Sequence, residues 1–258
     1  MPLRHSDTGA AFLAGLAFPE PVREALARRA PPQGPAIKIC GLSTAATLTA
    51  ALDAGTDLVG FVFFPKSPRH LTLEAAAPLA LVAGLRALTV ALTVDADDDA
   101  LDAIVAGIAP HMLQLHGHET PERVAAIKAR FGLPVMKAIG VSGPNDLAAV
   151  HRYAGVADRL LFDAKPPAGA DLPGGNGQAF DWDLLKAVRL DAPFMLSGGL
   201  DARNVVEAAV RTGCGAVDVS SGVESAPGHK DPAKIAAFVR TLRSAAGLET
   251  LGSDDATR

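Results

Sequence analysis

The chain has few aromatic residues, few cysteines and no long apolar run. Aromatic side chains make up 5% of the 258 residues, so Ala, Leu and Val carry most of the apolar content. No apolar stretch approaches the roughly 20 residues that cross a bilayer. The two cysteines, Cys40 and Cys214, are too few and too far apart in sequence for a disulfide framework. They indicate reduced thiols in a cytoplasmic protein rather than a disulfide-stapled secreted domain.

An excess of basic charge is also missing. The net charge of -4 leaves no basic stripe for nucleic acid, and the N-terminus lacks the basic, apolar and small-residue order of a signal peptide. We therefore expect neither nucleic acid nor a membrane as a partner. Residues 1–34 are rich in Pro and Arg and predict a loosely held extension with a short helix over 21–30, and residues 247–258 predict a polar, frayed tail.

Between these segments, short β-rich apolar runs alternate with helical patterns, which is typical of parallel α/β proteins. Eight such units in about 210 residues fit a closed (β/α)8 barrel better than an open doubly wound sheet. We therefore predict a single TIM barrel as the catalytic domain over residues 35–246. The predicted strands are 37–41, 58–64, 88–94, 112–115, 135–141, 160–164, 194–196 and 216–219.

This fold predicts which residues face the functional site, because the C-terminal ends of the strands and the loops after them line it. Cys40 ends the first predicted strand, Asp163 ends the sixth, and Arg69 and His116 follow the second and fourth. Cys214 precedes the eighth strand and so belongs to the opposite face. A disulfide from Cys40 to Cys214 would have to cross the barrel, which is too far.

Glycine-rich turns follow the last three predicted strands. Backbone N–H groups of such turns can approach an anion closely, and phosphate sites after strands 7 and 8 recur in this architecture. For any one turn, a tight strand-to-helix connection is an equally good interpretation, but three turns on adjacent strands favour a phosphate site. The predicted phosphate-binding residues are Gly175, Asn176, Gly177, Gly198, Gly199, Ser221 and Gly222.

Three side chains on the same face suggest proton-transfer chemistry. Cys40 alone is a weak signal, since a buried cysteine is usually a small hydrophobe. For Asp163 three interpretations are open. Its side chain caps the next loop, it pairs with Lys165, or its apolar surroundings raise the pKa of the carboxyl and keep it protonated, as a general acid requires. Arg69, in a loop stiffened by two prolines, is a solvated surface residue or a planar fork for a carboxylate. An acid facing a thiol, between a phosphate site and a carboxylate site, indicates proton transfer on a phosphorylated acid.

Seven motifs occur in order along the chain: Lys38-Ile39-Cys40-Gly41, Ser67-Pro68-Arg69, Gln114-Leu115-His116-Gly117, Phe162-Asp163, Gly174-Gly175-Asn176-Gly177, Ser197-Gly198-Gly199-Leu200 and Asp218-Val219-Ser220-Ser221-Gly222-Val223-Glu224. The set closely resembles the phosphoribosylanthranilate isomerase family of tryptophan biosynthesis, and the resemblance covers residue 37 to about residue 244. Two departures concern the phosphate turns. The family usually has Thr or Ser in place of Asn176 and Ala in place of Ser197.

The resemblance implies an Amadori rearrangement of N-(5′-phosphoribosyl)anthranilate to 1-(2-carboxyphenylamino)-1-deoxyribulose 5-phosphate without a cofactor. It implies that Asp163 is the general acid that opens the ribose ring, that Cys40 is the general base at C2′, and that Arg69 holds the anthranilate carboxylate. The expected partner is this phosphorylated small molecule, and the expected assembly is a monomer or a homodimer. For His116 and Lys38 we expect packing or hydrogen bonding only.

Two alternatives remain open at this stage. The isomerase of histidine biosynthesis resembles this fold and performs the same kind of rearrangement, but it has an aspartate in place of Cys40. A barrel that has lost its chemistry and only binds a phosphorylated ligand would need neither Cys40 nor Asp163. The presence of both residues favours the anthranilate isomerase.

Overall fold

Eight parallel strands close into a barrel. The computed structural model describes residues 8–28, 30–165, 179–188, 190 and 192–253. Each strand pairs with the next, and β8 pairs with β1, so the TIM-barrel prediction is confirmed and the predicted strand bounds are within one residue of those observed. In chain order, β1 to β8 are Ala36–Cys40, Leu58–Phe63, Leu88–Thr93, Met112–Leu115, Val135–Val141, Arg159–Ala164, Met195–Leu196 and Ala216–Val219.

Helices cover the outside of the barrel and one hairpin covers part of its C-terminal end. The hairpin consists of β9, Glu224–Ala226, and β10, His229–Lys230. In the described part of the chain, no helix is both long and apolar enough to cross a membrane. The α-helices α1 to α9 are Thr8–Leu13, Glu20–Ala27, Ala45–Asp53, Leu73–Gly84, Asp98–Ile108, Pro121–Phe131, Val150–Tyr153, Val205–Thr212 and Pro232–Ser253.

Two connections between strands are mainly short 3-10 segments. Pro144–Ala149 follows β5 and precedes the single turn of α7, while Trp182–Ala187 follows β6. The first is tightened at its start, because the Asp146 carboxylate accepts hydrogen bonds from the backbone N–H groups of Ser142 and Gly143. Such tight segments serve as short connectors. The final helix continues to Ser253, so the prediction of a frayed tail over residues 247–258 is wrong for residues 247–253.

Alternation along β1 separates packing residues from residues of the barrel interior. Ile37 and Ile39 join the large apolar core formed with the helices. Lys38 contacts Asp218 of β8, and Cys40 packs with apolar side chains of β2 and β3. The N-terminal ends of the barrel strands form a separate apolar layer, which includes Leu58 at the start of β2. The interior is therefore apolar near the strand starts and carries polar groups toward the strand ends.

The N-terminal segment packs against that apolar layer. Phe12 is 0% exposed, and Leu16 and Phe18 are also buried. Arg159 Nε, at the start of β6, donates to the Phe12 carbonyl at 2.7 Å, and the guanidinium lies 5.5 Å from the centre of the Phe12 ring. The prediction of a loosely held extension is therefore wrong for residues 8–18, because the strand starts offer an apolar surface that these residues cover. Helix α2, by contrast, buries no residue.

Candidate active site

A cavity opens at the C-terminal ends of the strands, on the side that the sequence predicted. It encloses about 650 Å³ of empty space, part of which is open to solvent. Strand ends and following loops from around the ring line it, and they include Cys40, Arg69, His116, Asp163, Gly198, Gly199 and Ser221. Three residues of the predicted phosphate site, Gly175, Asn176 and Gly177, lie outside the described residues.

Cys40 ends β1 and is 3% exposed. Its register partner on β2 is Gly60, and a side-chain carbon added there would lie 2.8 Å from Cys40 Sγ, so the glycine leaves room for the thiol. Burial raises the pKa of the Cys40 thiol above its ordinary value, although Lys38 acts in the opposite direction. The thiol is therefore protonated at neutral pH in the free protein.

Lys38 lies two residues before Cys40 on the same face of β1. Its Nζ lies 2.9 Å from Asp218 Oδ1 of β8, and both side chains are buried. Burial alone would lower the pKa of Lys38, but Asp218 and Cys40 outweigh it and raise that pKa, so the ammonium stays charged. Ser197 Oγ donates a longer hydrogen bond, 3.4 Å, to Asp218 Oδ2. The hydrogen bond expected of Lys38 is present, and it fixes a positive charge close to the thiol.

Asp163 ends β6 and is 4% exposed. Its Oδ1 accepts from the backbone N–H of the next residue at 2.9 Å, and its Oδ2 lies 3.2 Å from Nε2 of His116. Nδ1 of His116 lies 3.1 Å from Nε2 of Gln114 on β4. The alternative pairing with Lys165 is wrong, because that lysine bonds to Asp146 at 2.8 Å. Both carboxylate oxygens of Asp163 are therefore oriented by neighbouring groups at the edge of the cavity.

Arg69 is 6% exposed, so the interpretation as a solvated surface residue is wrong. Its Nε and Nη2 donate to Oε1 and Oε2 of Glu224 on β9 at 2.8 and 2.9 Å, and Lys230 Nζ lies 2.5 Å from the same Oε1. Gly41, at φ +78°, makes room for this arginine, since a side-chain carbon there would lie 2.7 Å from Arg69 Cδ. The sequence analysis gave no role to Glu224 or Lys230, although Glu224 ends the last motif that carries the family resemblance.

The two described glycine turns come close together at the cavity. Gly198 and Gly199 have φ of +88° and +62°, and a side-chain carbon on Gly198 would lie 2.5 Å from the backbone nitrogen of Ala164. Gly222 packs so closely that a side-chain carbon would meet the Leu200 carbonyl oxygen at 1.9 Å. These positions require glycine because of backbone conformation and close approach, and Ser221 beside them lines the cavity. Among the residues that the structure describes, no His, Cys, Asp and Glu side chains are grouped to hold a metal ion.

Residues 37–241, which span the barrel and its cavity, match the family model described as N-(5′phosphoribosyl)anthranilate (PRA) isomerase. The chain belongs to this family. The N-(5′-phosphoribosyl)anthranilate isomerase of Rhodopseudomonas palustris is 59% identical over 209 residues, which cover 81% of this chain and 98% of that protein. Phosphoribosylanthranilate isomerases act in tryptophan biosynthesis.

Solved structures of the same family have the same fold. The phosphoribosyl anthranilate isomerase of Thermotoga maritima is 32% identical, with a TM-score of 0.72 over 81% of this chain and 99% of that one. A phosphoribosyl anthranilate isomerase in complex with reduced 1-(o-carboxyphenylamino)-1-deoxyribulose 5-phosphate is 30% identical, with a TM-score of 0.70 and the same coverage. The N-terminal segment that packs below the barrel lies before the residues matched by the family model.

Proposed function

We propose that this chain converts N-(5′-phosphoribosyl)anthranilate to 1-(2-carboxyphenylamino)-1-deoxyribulose 5-phosphate, with Asp163 as the general acid and Cys40 as the general base. The observation that supports these roles is that both side chains are buried and line one cavity, although their strands are three places apart in the ring. A binding site that had lost its chemistry would need neither group. Family membership supports the reaction, and the placement of the two side chains supports their roles.

Asp163 acts first in this proposal. In its protonated form it donates to the ribose ring oxygen, the bond from that oxygen to C1′ breaks, and the anthranilate nitrogen supplies electrons to form an iminium. The carboxylate that remains keeps its backbone N–H donor and its contact with His116. These contacts hold the acid in position for the proton transfer, which is the main requirement for this kind of catalysis.

Cys40 then removes the proton from C2′ as a thiolate, which gives an enolamine that tautomerises to the ketone. Because burial raises the pKa of the thiol, the thiolate needs support, and the nearby Lys38 ammonium supplies it. The reactive state of the pair therefore carries its one proton on Asp163. The reaction moves hydrogen within one molecule from aldose to ketose, so its redox balance requires no cofactor.

The remaining residues bind the ends of the substrate. Arg69 takes the anthranilate carboxylate, and backbone N–H groups of Gly198, Gly199, Ser221 and Gly222, with the predicted Gly175, Asn176 and Gly177, take the phosphate. We infer a cytoplasmic enzyme because Cys40 and Cys214 are both free thiols. A monomer or a homodimer remains the expected assembly.

Substrate consumption by the purified protein, followed by the fluorescence of phosphoribosylanthranilate, tests the activity. Cys40→Ala and Asp163→Asn should each reduce kcat by at least about a hundredfold, the typical value of a positioned acid or base. Glu207→Gln, which alters an exposed ion pair on α8, is the matched control and should leave kcat unchanged. Full activity of either site variant would contradict its assigned role, and an inactive wild-type protein would favour the binding-only alternative. Arg69→Ala should mainly raise KM.

A further inference from the structure

We propose that Glu224 is a positioning residue for substrate recognition, because it fixes the orientation in which Arg69 presents its guanidinium to the substrate carboxylate. The inference rests on the proposed function, since it takes the anthranilate carboxylate to be the ligand of Arg69. Glu224 itself is not among the residues that line the cavity, so its effect on the substrate passes through the arginine.

The contact between the two side chains is bidentate. Nε and Nη2 of Arg69 donate in parallel to the two carboxylate oxygens of Glu224, at 2.8 and 2.9 Å. Paired hydrogen bonds of this kind fix the plane of the guanidinium as well as its position. Because one edge of the planar group is committed to Glu224, the orientation of the whole guanidinium is set by a residue 155 positions away in the chain.

Glu224 is in turn held from its other side. Lys230 Nζ lies 2.5 Å from its Oε1 and also donates to the carbonyl and hydroxyl oxygens of Ser220, both at 3.0 Å. The Ser220 hydroxyl donates to the backbone carbonyl of Cys40 at 3.1 Å. One hydrogen-bonded network therefore links the arginine that binds the carboxylate to the strand end that carries the base. Their relative position is fixed before the substrate arrives.

The loop that carries Arg69 and the β9–β10 hairpin that carries Glu224 are also packed together independently of the ion pair. A side-chain carbon added to Gly228, in the turn of the β9–β10 hairpin, would lie 2.6 Å from the carbonyl oxygen of Pro68. Gly41 likewise leaves no space between the end of β1 and the Arg69 side chain. Because these contacts remain when Glu224 is altered, its replacement should disturb the guanidinium more than the loops.

The cluster holds two cations around one carboxylate, because Arg69 and Lys230 both pair with Glu224. Burial acts to raise the pKa of Glu224, but Arg69 and Lys230 outweigh it and lower that pKa. Burial lowers the pKa of Lys230, and Glu224 acts in the opposite direction. Glu224→Gln replaces one acceptor oxygen with an NH2 donor, so it should break the paired contact that orients Arg69.

Two competitive inhibitors test the proposal. One is the reduced product analogue, reduced 1-(o-carboxyphenylamino)-1-deoxyribulose 5-phosphate, and the other is the same molecule without the ring carboxylate. In Glu224→Gln the Ki of the first should rise about tenfold, the loss expected for one misdirected charged hydrogen bond, while the Ki of the second stays unchanged. KM for the substrate should rise by a similar factor with a smaller change in kcat.

Variants separate orientation from charge and from folding. Glu224→Asp keeps the charge but withdraws the carboxylate by one methylene, and it should show the same selective loss. Arg69→Ala should abolish the difference between the inhibitors, and adding Glu224→Gln to it should cause no further loss. Glu207→Gln is again the surface control and should leave both Ki values unchanged.

The outcomes are distinguishable. Unchanged or tighter binding of the carboxylated inhibitor by both Glu224 variants would overturn the proposal, as would an equal loss for the two inhibitors, which indicates a structural role. If Arg69→Ala binds both inhibitors as the wild type does, the carboxylate role in the proposed function is wrong and this inference fails with it. If Arg69→Ala is selective but the Glu224 variants are not, only the positioning role fails.

Discussion

Gly60 on β2 and Cys40 on β1 are register partners that leave no space for a side chain between them. A side-chain carbon on Gly60 would lie 2.8 Å from Cys40 Sγ and 3.2 Å from Lys38 Cε. The position of the thiol in the cavity therefore depends on a glycine in the adjacent strand. The backbone of Gly60 is ordinary strand, so the glycine is required by space and not by conformation.

Gly60→Ala should displace the thiol and lower kcat by about tenfold to a hundredfold, since a shift of about 1 Å in a reacting group has an effect of that size. KM should change little because the groups that bind the substrate ends do not move. The control is Gly140→Ala on β5, where the nearest atom to an added carbon is 3.6 Å away. Steady-state measurements of kcat and KM for both variants test the prediction. A Gly60→Ala enzyme with wild-type kcat would contradict it.

The raised pKa of Cys40 predicts the alkaline limit of kcat/KM. Catalysis needs one proton on the pair and one free base, so kcat/KM declines at alkaline pH once the pair has lost its last proton. The thiol keeps its proton up to its own pKa, which burial raises from the ordinary 9.0. In Cys40→Asp the thiol is replaced by a carboxyl with an ordinary pKa of about 3.9.

The alkaline limit of that variant should therefore lie at lower pH than that of the wild type, and above that limit its kcat/KM should fall tenfold per pH unit. The wild-type kcat/KM should not fall over the same range. Measured kcat/KM profiles of the two proteins test this, and a shared alkaline limit would show that Cys40 does not hold the proton in question.

The buried pair of Lys38 and Asp218 predicts strongly non-additive stability changes. Lys38→Met leaves the Asp218 carboxylate buried beside only the long hydrogen bond from Ser197, and it should lower the free energy of unfolding by roughly 3–5 kcal/mol. Lys38→Met/Asp218→Asn removes both charges and should recover most of that loss. Urea unfolding of the single and double variants measures the coupling, and simple addition of the two effects would contradict it.

Phe12 should stabilise the barrel although it lies before the residues that define the family. Its ring is fully buried against the strand starts and against Arg159, so Phe12→Ala should lower the free energy of unfolding by about 3–5 kcal/mol. KM should not change, because the cavity is at the opposite end of the barrel. Val22→Ala on α2, where the side chain is only partly buried against the same apolar layer, is the control and should cost far less. Equal urea midpoints for wild type and Phe12→Ala would disprove the role.

The sequence predicted the barrel well because its signals are local. Short β-rich runs, helix starts such as Thr120 with Pro121, and glycine turns each depend on neighbouring residues, and eight repeats of the same unit left few alternatives. The N-terminal segment was predicted wrongly for a physical reason. Phe12 is buried by a surface that exists only when the starts of strands far apart in the sequence come together. No local sequence pattern around Phe12 predicts that burial.

Sequence by itself determined that Lys38 and Cys40 share one face of β1 and that Asp163 ends a strand on the same side of the barrel, since alternation and strand order are properties of the chain. Tertiary structure alone decided the partners of the charged groups, such as Glu224 for Arg69 and His116 for Asp163. It also decided the protonation of the Cys40 thiol. Ion pairing and desolvation depend on distances through space between residues that are remote along the chain, and only the closed barrel sets those distances.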